Sequence, residues 1–94
     1  MEQRIAIFPG SFDPYTIGHA SIVDRALPLF DKIVVAIGVN RNKRSFLTEE
    51  QRIRMIADLY ADEPKVEVIS YDGLTVDAAR ECGARFLLRG VRMI

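Results

Sequence analysis

The chain's single histidine, His19, closes the stretch Phe8-Pro9-Gly10-Ser11-Phe12-Asp13-Pro14-Tyr15-Thr16-Ile17-Gly18-His19. Glycine in a turn lets backbone N–H groups approach a phosphate, and a helix starting just behind it adds a favourable dipole. The same dipole disfavours an imidazolium, so His19 there suits a neutral ring that donates an N–H to a phosphate oxygen. Two bland readings compete. An ordinary βα turn is also rich in Gly, Ser, Asp and Pro, and on local composition alone it is the better account. A lone histidine at a helix start can equally be an idle surface residue. Neither G-x-G-x-x-G nor the P-loop pattern fits the segment.

Two further sets of residues bear on the same chemistry. Arg41, Lys43 and Arg44 form a short basic run that suits phosphate groups, although such runs are more often solvated loops. Arg89-Gly90-Val91-Arg92 places two arginines around a glycine, able to clamp phosphate oxygens bidentately. Its plain alternative is a charged strand end. Arg89 directly follows Phe86-Leu87-Leu88, so part of its stem is expected to be buried. One histidine cannot hold a metal alone and Cys82 is far along the chain, so no metal site is expected.

The elements that must position these residues alternate. Arg4–Phe8 and Lys32–Val39 read as continuously apolar strands, hence buried on both faces. Gly18–Phe30 reads as a helix whose inner stripe is Ile22, Val23, Ala26, Leu27 and Phe30, ended or kinked near Ala26 or Leu27 by Pro28. Thr48-Glu49-Glu50-Gln51 is a capping box opening a second helix, with Ile53, Ile56, Ala57 and Tyr60 expected inside. Val66–Ser70 is a third strand, Tyr71-Asp72-Gly73 a turn, and Leu74–Glu81 a third helix with Gly83 at a left-handed C-cap. Ala84–Arg89 is a fourth strand. The order βαβαβαβ predicts an open parallel α/β sheet with right-handed crossovers. The turn before His19, the basic loop and the arginine pair then share one rim, at the carboxyl ends of the strands, where such sheets bind ligands. That convergence points to a phosphate-rich ligand of the nucleotide class.

Ninety-four residues suggest one domain. The expectation is a domain over residues 1–94, incomplete at its C-terminus or completed by another chain, with Met93 and Ile94 opening a further element. Thirteen basic and thirteen acidic side chains cancel, so there is no global electrostatic case for nucleic acid and any anion site is local. One cysteine allows no internal disulfide, which favours a reducing, cytoplasmic setting. The polar start is no signal peptide, and no run approaches the roughly 18 apolar residues of a membrane span.

Gly10-Ser11-Phe12-Asp13-Pro14-Tyr15-Thr16-Ile17-Gly18-His19 resembles the signature of the nucleotidyltransferases, in the T-x-G-H version Thr16-Ile17-Gly18-His19. With Lys43, Phe46-Leu47-Thr48-Glu49-Glu50-Gln51-Arg52 and Leu88-Arg89-Gly90-Val91-Arg92 in order, the chain is similar to the bacterial phosphopantetheine adenylyltransferase family. The resemblance runs from the first strand to the last residue. It implies a Rossmann-like fold and transfer of adenylate from ATP to 4′-phosphopantetheine, giving dephospho-coenzyme A and pyrophosphate, helped by magnesium. By the same resemblance His19 stabilises charge in the transition state. Ser11, Lys43, Thr75 and Arg89 hold the phosphopantetheine. Ser11, Phe12, His19, Gly90, Val91 and Arg92 hold ATP. A homo-oligomer, hexameric in the family, is also implied. The family carries further ATP-binding segments beyond the point reached by this sequence. Other T/H-x-G-H enzymes, acting on nicotinate mononucleotide or a cytidylyl acceptor, are a second possibility, and a truncated, non-catalytic nucleotide-binding module is a third.

Overall fold

Five consecutive buried residues, Ile33–Ile37, form the centre of the fold. The structure is a computed structural model, and residues 3–89 are the described ones. Its elements are β1 (Ile5–Gly10), α1 (Ile17–Ala26), β2 (Lys32–Gly38), α2 (Glu49–Leu59), β3 (Val66–Tyr71), α3 (Thr75–Cys82) and β4 (Phe86–Leu87). The sheet order is β3-β2-β1-β4 and every pair is parallel. β2 lies in the interior of the sheet and is sandwiched by helices, which is why it reads as an unbroken apolar run.

Residues alternate between the two faces. Phe8, Ile33, Val35 and Ile37 pack with Val23 and Ala26 of α1 and Ile56 of α2. Ile7 and Ala36 pack on the opposite side with Ala78 of α3. After β3 the chain therefore crosses to the far face and inserts β4 beyond β1. The strand order reverses between β1 and β4, and this switch point opens at the carboxyl ends of the strands.

The expected elements are present; β2 ends one residue early, Tyr71 belongs to β3 and not to the turn, α3 is shifted by one residue, and five further differences bear on the site. β1 continues through Pro9 and Gly10, which pair with Ala36 and Ile37 instead of starting the turn. α1 begins at Ile17 and ends at Ala26, and Pro28 sits in a separate 3₁₀ turn, Leu27–Leu29. On α2, Ala57 is exposed, while the charged Arg52 is buried (4% exposed) beside Ile56. β4 is two residues long, not six. Its ladder runs through Arg85 N–H to the Ile5 carbonyl and Leu88 N–H to the Ile7 carbonyl. The next bond requires an N–H at position 9, which proline lacks, so pairing stops there. Finally, β4 is an edge strand with exposed Phe86 and Leu87, and Arg89 beyond it is exposed too, so its stem is not buried as expected.

Helix ends follow local chemistry. Thr48 accepts from the Gln51 N–H and Gln51 Oε1 from the Thr48 N–H, the reciprocal box that the sequence spells. Gly83 ends α3 at φ 78°, a conformation that a residue without Cβ adopts at little cost. No helix among the described residues is long and apolar enough to cross a membrane.

Candidate active site

The segment after β1 has no sheet ladder of its own, so its backbone and side chains take partners from elsewhere. Phe12 turns the chain at φ 48°, and its ring is buried, 2% exposed. Only its backbone can face a ligand. The Asp13 carboxylate accepts from the Phe46 N–H at 2.5 Å and the Leu47 N–H at 2.6 Å, tying the basic loop to this turn. Arg52 donates through Nη1 to the Ser11 carbonyl at 2.8 Å and through Nε to the Thr48 carbonyl. It forms no ion pair with any described carboxylate.

His19 occupies the third position of α1 and takes part in a capping box. The Thr16 hydroxyl accepts from the His19 backbone N–H, and the Thr16 backbone N–H donates to His19 Nδ1 at 2.9 Å. A backbone N–H can only donate, so Nδ1 carries the lone pair and the neutral ring holds its proton on Nε2. No described residue accepts that Nε2 proton. Burial lowers the pKa of His19 below the usual imidazole value, which reinforces the neutral form. Aromatic rings surround it. Tyr15 stacks on its face at 5.3 Å, and Phe12 and Phe8 meet it edge-on at 5.0 and 6.1 Å.

Two adjoining clefts open on the carboxyl rim. One, of about 380 Å³, is lined by Ser11, Asp13, Lys43, Arg44, Glu49 and Arg52 among others. The second, of about 640 Å³, lies over the switch point and is lined by residues including Gly10, Ser11, Thr75, Leu88 and Arg89. Ser11 and Gly38 line both. The structure thus gathers Ser11, Lys43, Thr75 and Arg89 around one continuous depression. His19 and Phe12 line neither cleft: Phe12 follows Ser11 in the chain, and His19, in the first turn of α1, lies against the Phe12 ring. Gly90, Val91 and Arg92 lie outside the described residues.

The depression is not uniformly basic, but its acids are engaged. Asp13 is held by two backbone donors, and Glu49 accepts from the Ser70 hydroxyl at 2.8 Å. Arg41 is drawn to Asp72 at 3.2 Å in an exposed pair. Lys43 and Arg44 have no ion pair among the described residues, which leaves two cations to meet an anion. Thr75 bonds the Tyr71 hydroxyl at 2.8 Å. Among the described residues no three His, Cys, Asp or Glu side chains are grouped to hold a metal ion.

Three contributors were missed in the sequence. Asp13 and Thr16 lay inside the quoted motif without a role. Thr16 carried a signal, since a Thr three residues before a side chain able to accept a hydrogen bond is the frame of a capping box. Arg52 also carried one: it is a charge on the same stripe as Ile56 and Tyr60, four residues apart.

Comparison with known proteins agrees with this architecture. The cytidylyltransferase-like family model matches residues 7–94. Phosphopantetheine adenylyltransferase of Flavobacterium psychrophilum is 55% identical over 89 residues, 95% of this chain and 59% of that protein. The enzyme of the same name from Bacteroides fragilis is 50% identical over 91 residues, 97% of this chain and 61% of that protein. The chain therefore spans about three-fifths of the length of these curated relatives. Among solved structures, NadR protein in complex with NAD and AMP-PNP superposes with a TM-score of 0.68 at 24% identity, covering 76% of this chain and 21% of that one. A bifunctional NMN adenylyltransferase/ADP ribose pyrophosphatase from Francisella tularensis gives 0.66 at 23% identity, covering 84% and 25%. At such identities these two speak to the fold alone. With the family match running from β1 through the whole described rim, the chain belongs to the cytidylyltransferase-like family.

Proposed function

We propose that this chain carries part of the site of an adenylyltransferase that joins ATP to 4′-phosphopantetheine, giving dephospho-coenzyme A and pyrophosphate. The substrate pair rests on the relatives at 50–55% identity. The observation that carries the chemistry is the tautomer of His19, a neutral ring with Nε2–H unclaimed at a helix N-terminus. An oxygen of the acceptor phosphate attacks the α-phosphorus of ATP, and the bond from that phosphorus to the bridging oxygen of the leaving pyrophosphate breaks. His19 donates its Nε2–H to an α-phosphate oxygen and stabilises the charge that builds there. Lys43 and Arg89 hold the acceptor phosphate in line, beside Ser11 and Thr75, so that positioning supplies much of the rate. Ser11 and the Phe12 backbone approach the nucleotide phosphates, and Gly90, Val91 and Arg92 belong to the ATP side by family resemblance. Magnesium would screen phosphate charge. The described residues do not by themselves make a site for it. A cytoplasmic setting and a homo-oligomer, hexameric by resemblance, complete the proposal.

The test is the reverse reaction: dephospho-coenzyme A, pyrophosphate and magnesium, with ATP as readout and His19→Ala beside the parent. ATP from the parent alone supports the reading. Nucleotide binding without turnover in either protein makes the chain a binding module. ATP formed equally by both removes His19 from the chemistry.

A further inference from the structure

His19 is held at one ring atom, Nδ1, which meets the Thr16 N–H at 2.9 Å and the Thr16 hydroxyl at 3.1 Å; both partners anchor Nδ1, and the rest of the ring lies against its aromatic neighbours. The face of the ring is covered by Tyr15, stacked at 5.3 Å with the rings inclined by 30°. Tyr15 itself stands in the irregular segment between β1 and α1, where no ladder fixes it. Its hydroxyl meets the Tyr60 hydroxyl at 2.6 Å, 45 residues away at the C-cap of α2. Phe12 closes the third side, edge-on to both Tyr15 (5.3 Å) and His19 (5.0 Å).

We infer that Tyr15, braced by Tyr60, is a positioning residue for His19, holding the imidazole plane in which its Nε2–H is presented. The inference rests on the adenylyl-transfer reading for its kinetic consequence, but not for its geometry. A tyrosine whose only task was to fill the core would not need its ring stacked on the face of the one histidine at the site. Half-buried phenols do need a partner, and here each supplies the other's. Burial raises the pKa of both, so the pair stays neutral and places no charge beside His19. The same helix grips the segment a second time, where Arg52 donates to the Ser11 carbonyl. Positions 52 and 60 are eight residues apart, about 12 Å along a helix axis. α2 therefore acts as a splint, fastened to the segment at Ser11 and at Tyr15.

The test compares Tyr15→Leu, Tyr15→Phe, Tyr60→Phe and the double Phe variant. The readouts are adenylyl-transfer kinetics and the ring ¹⁵N and proton resonances of His19, unambiguous because it is the chain's only histidine. Tyr15→Leu removes the stack. It is expected to lower kcat by up to about a hundredfold at nearly constant KM, and to change the His19 proton shifts and Nδ1–Nε2 difference. Tyr15→Phe restores the stack but not the bond to Tyr60, so it is expected to recover the greater part of the loss and to stand level with Tyr60→Phe. Tyr60→Phe leaves the Tyr15 hydroxyl without its partner and is expected to lower kcat about two- to tenfold. The double Phe variant loses no more than the worse single, because one bond cannot be lost twice. If Tyr15→Leu fails to fold, the three Phe variants decide. Unchanged kcat and unchanged His19 resonances in Tyr15→Leu or Tyr60→Phe, or losses confined to KM, overturn the inference. If the parent itself shows no turnover, the functional reading fails while the His19 spectrum still tests the brace.

Discussion

Gly10→Ala measures how tightly the walls around His19 are packed. A Cβ on residue 10 would stand 2.9 Å from Cε1 and Cζ of the Phe12 ring and 3.3 Å from Cε2. Carbon atoms rest at about 3.5–4.0 Å, so the ring must retreat by about 0.6 Å or more. It has little room. Phe12 is 2% exposed, its backbone sits at φ 48°, and Phe8, Tyr15 and His19 surround the ring at centroid distances of 5.1, 5.3 and 5.0 Å. Overpacking of this kind costs about 1–3 kcal/mol. For a domain of this size each kcal/mol lowers Tm by about 4–8 °C. The assay is urea or thermal unfolding of a four-member cycle with Phe12→Leu. Leucine lacks the ring atoms that the new methyl would strike. Gly10→Ala is therefore expected to cost less than about 0.5 kcal/mol in the Phe12→Leu background, a coupling of about 1–2 kcal/mol between the two sites. In the parent background the displaced ring should also shift the His19 proton resonances. Equal costs in both backgrounds, or a cost in the parent within about 0.3 kcal/mol of zero, would refute the reasoning.

The other expectations concern groups around the same turn. Asp13→Asn keeps one acceptor but turns an N–H₂ toward the second backbone donor, so it loses one charge-assisted bond, worth about 1.5–3 kcal/mol. Because Asp13 ties down the loop bearing Lys43, the KM for the phosphorylated acceptor should rise at least about tenfold, and a rise confined to ATP would break the link. Thr16→Ala removes the N-cap of α1 and should cost about 1 kcal/mol by denaturant unfolding, with a Tm equal to the parent's counting against the cap. His19 should titrate with a midpoint below the ordinary value of about 6.5, because burial disfavours its charged form. Its contribution to stability is then complete above about pH 6.5, where both states are neutral, and is lost as pH falls through the folded-state pKa, since the unfolded chain binds the proton first. Transfer rates should fall over that same lower window. An NMR midpoint above 6.5 would reverse the sign and remove the argument.

What was legible in the sequence and what was not divide along one physical line. The strands, the Thr48 box, the helix stop before Pro28 and the Gly83 cap are decided by residues within a turn or two of one another, and short-range spacing displays them. The length of β4 is not local: it is set by Pro9, more than seventy residues earlier in the chain and in a different strand. Helical spacing puts Arg52 on the stripe of Ile56 and Tyr60, but it does not show what the charge meets there, because its partner is the Ser11 carbonyl, 41 residues away. Asp13 reaches 33 and 34 residues forward to Phe46 and Leu47, and Tyr15 reaches 45 to Tyr60. All three long-range ties end on the segment between β1 and α1, and this has a reason. A segment that bends its backbone toward a ligand surrenders the ladder that would hold it, and its polar groups must still be satisfied. Its partners then come from distant elements. The parts of a site best hidden from local sequence reading are thus the ones that hold its loop in place, while the residues offered to the ligand stay visible as a motif.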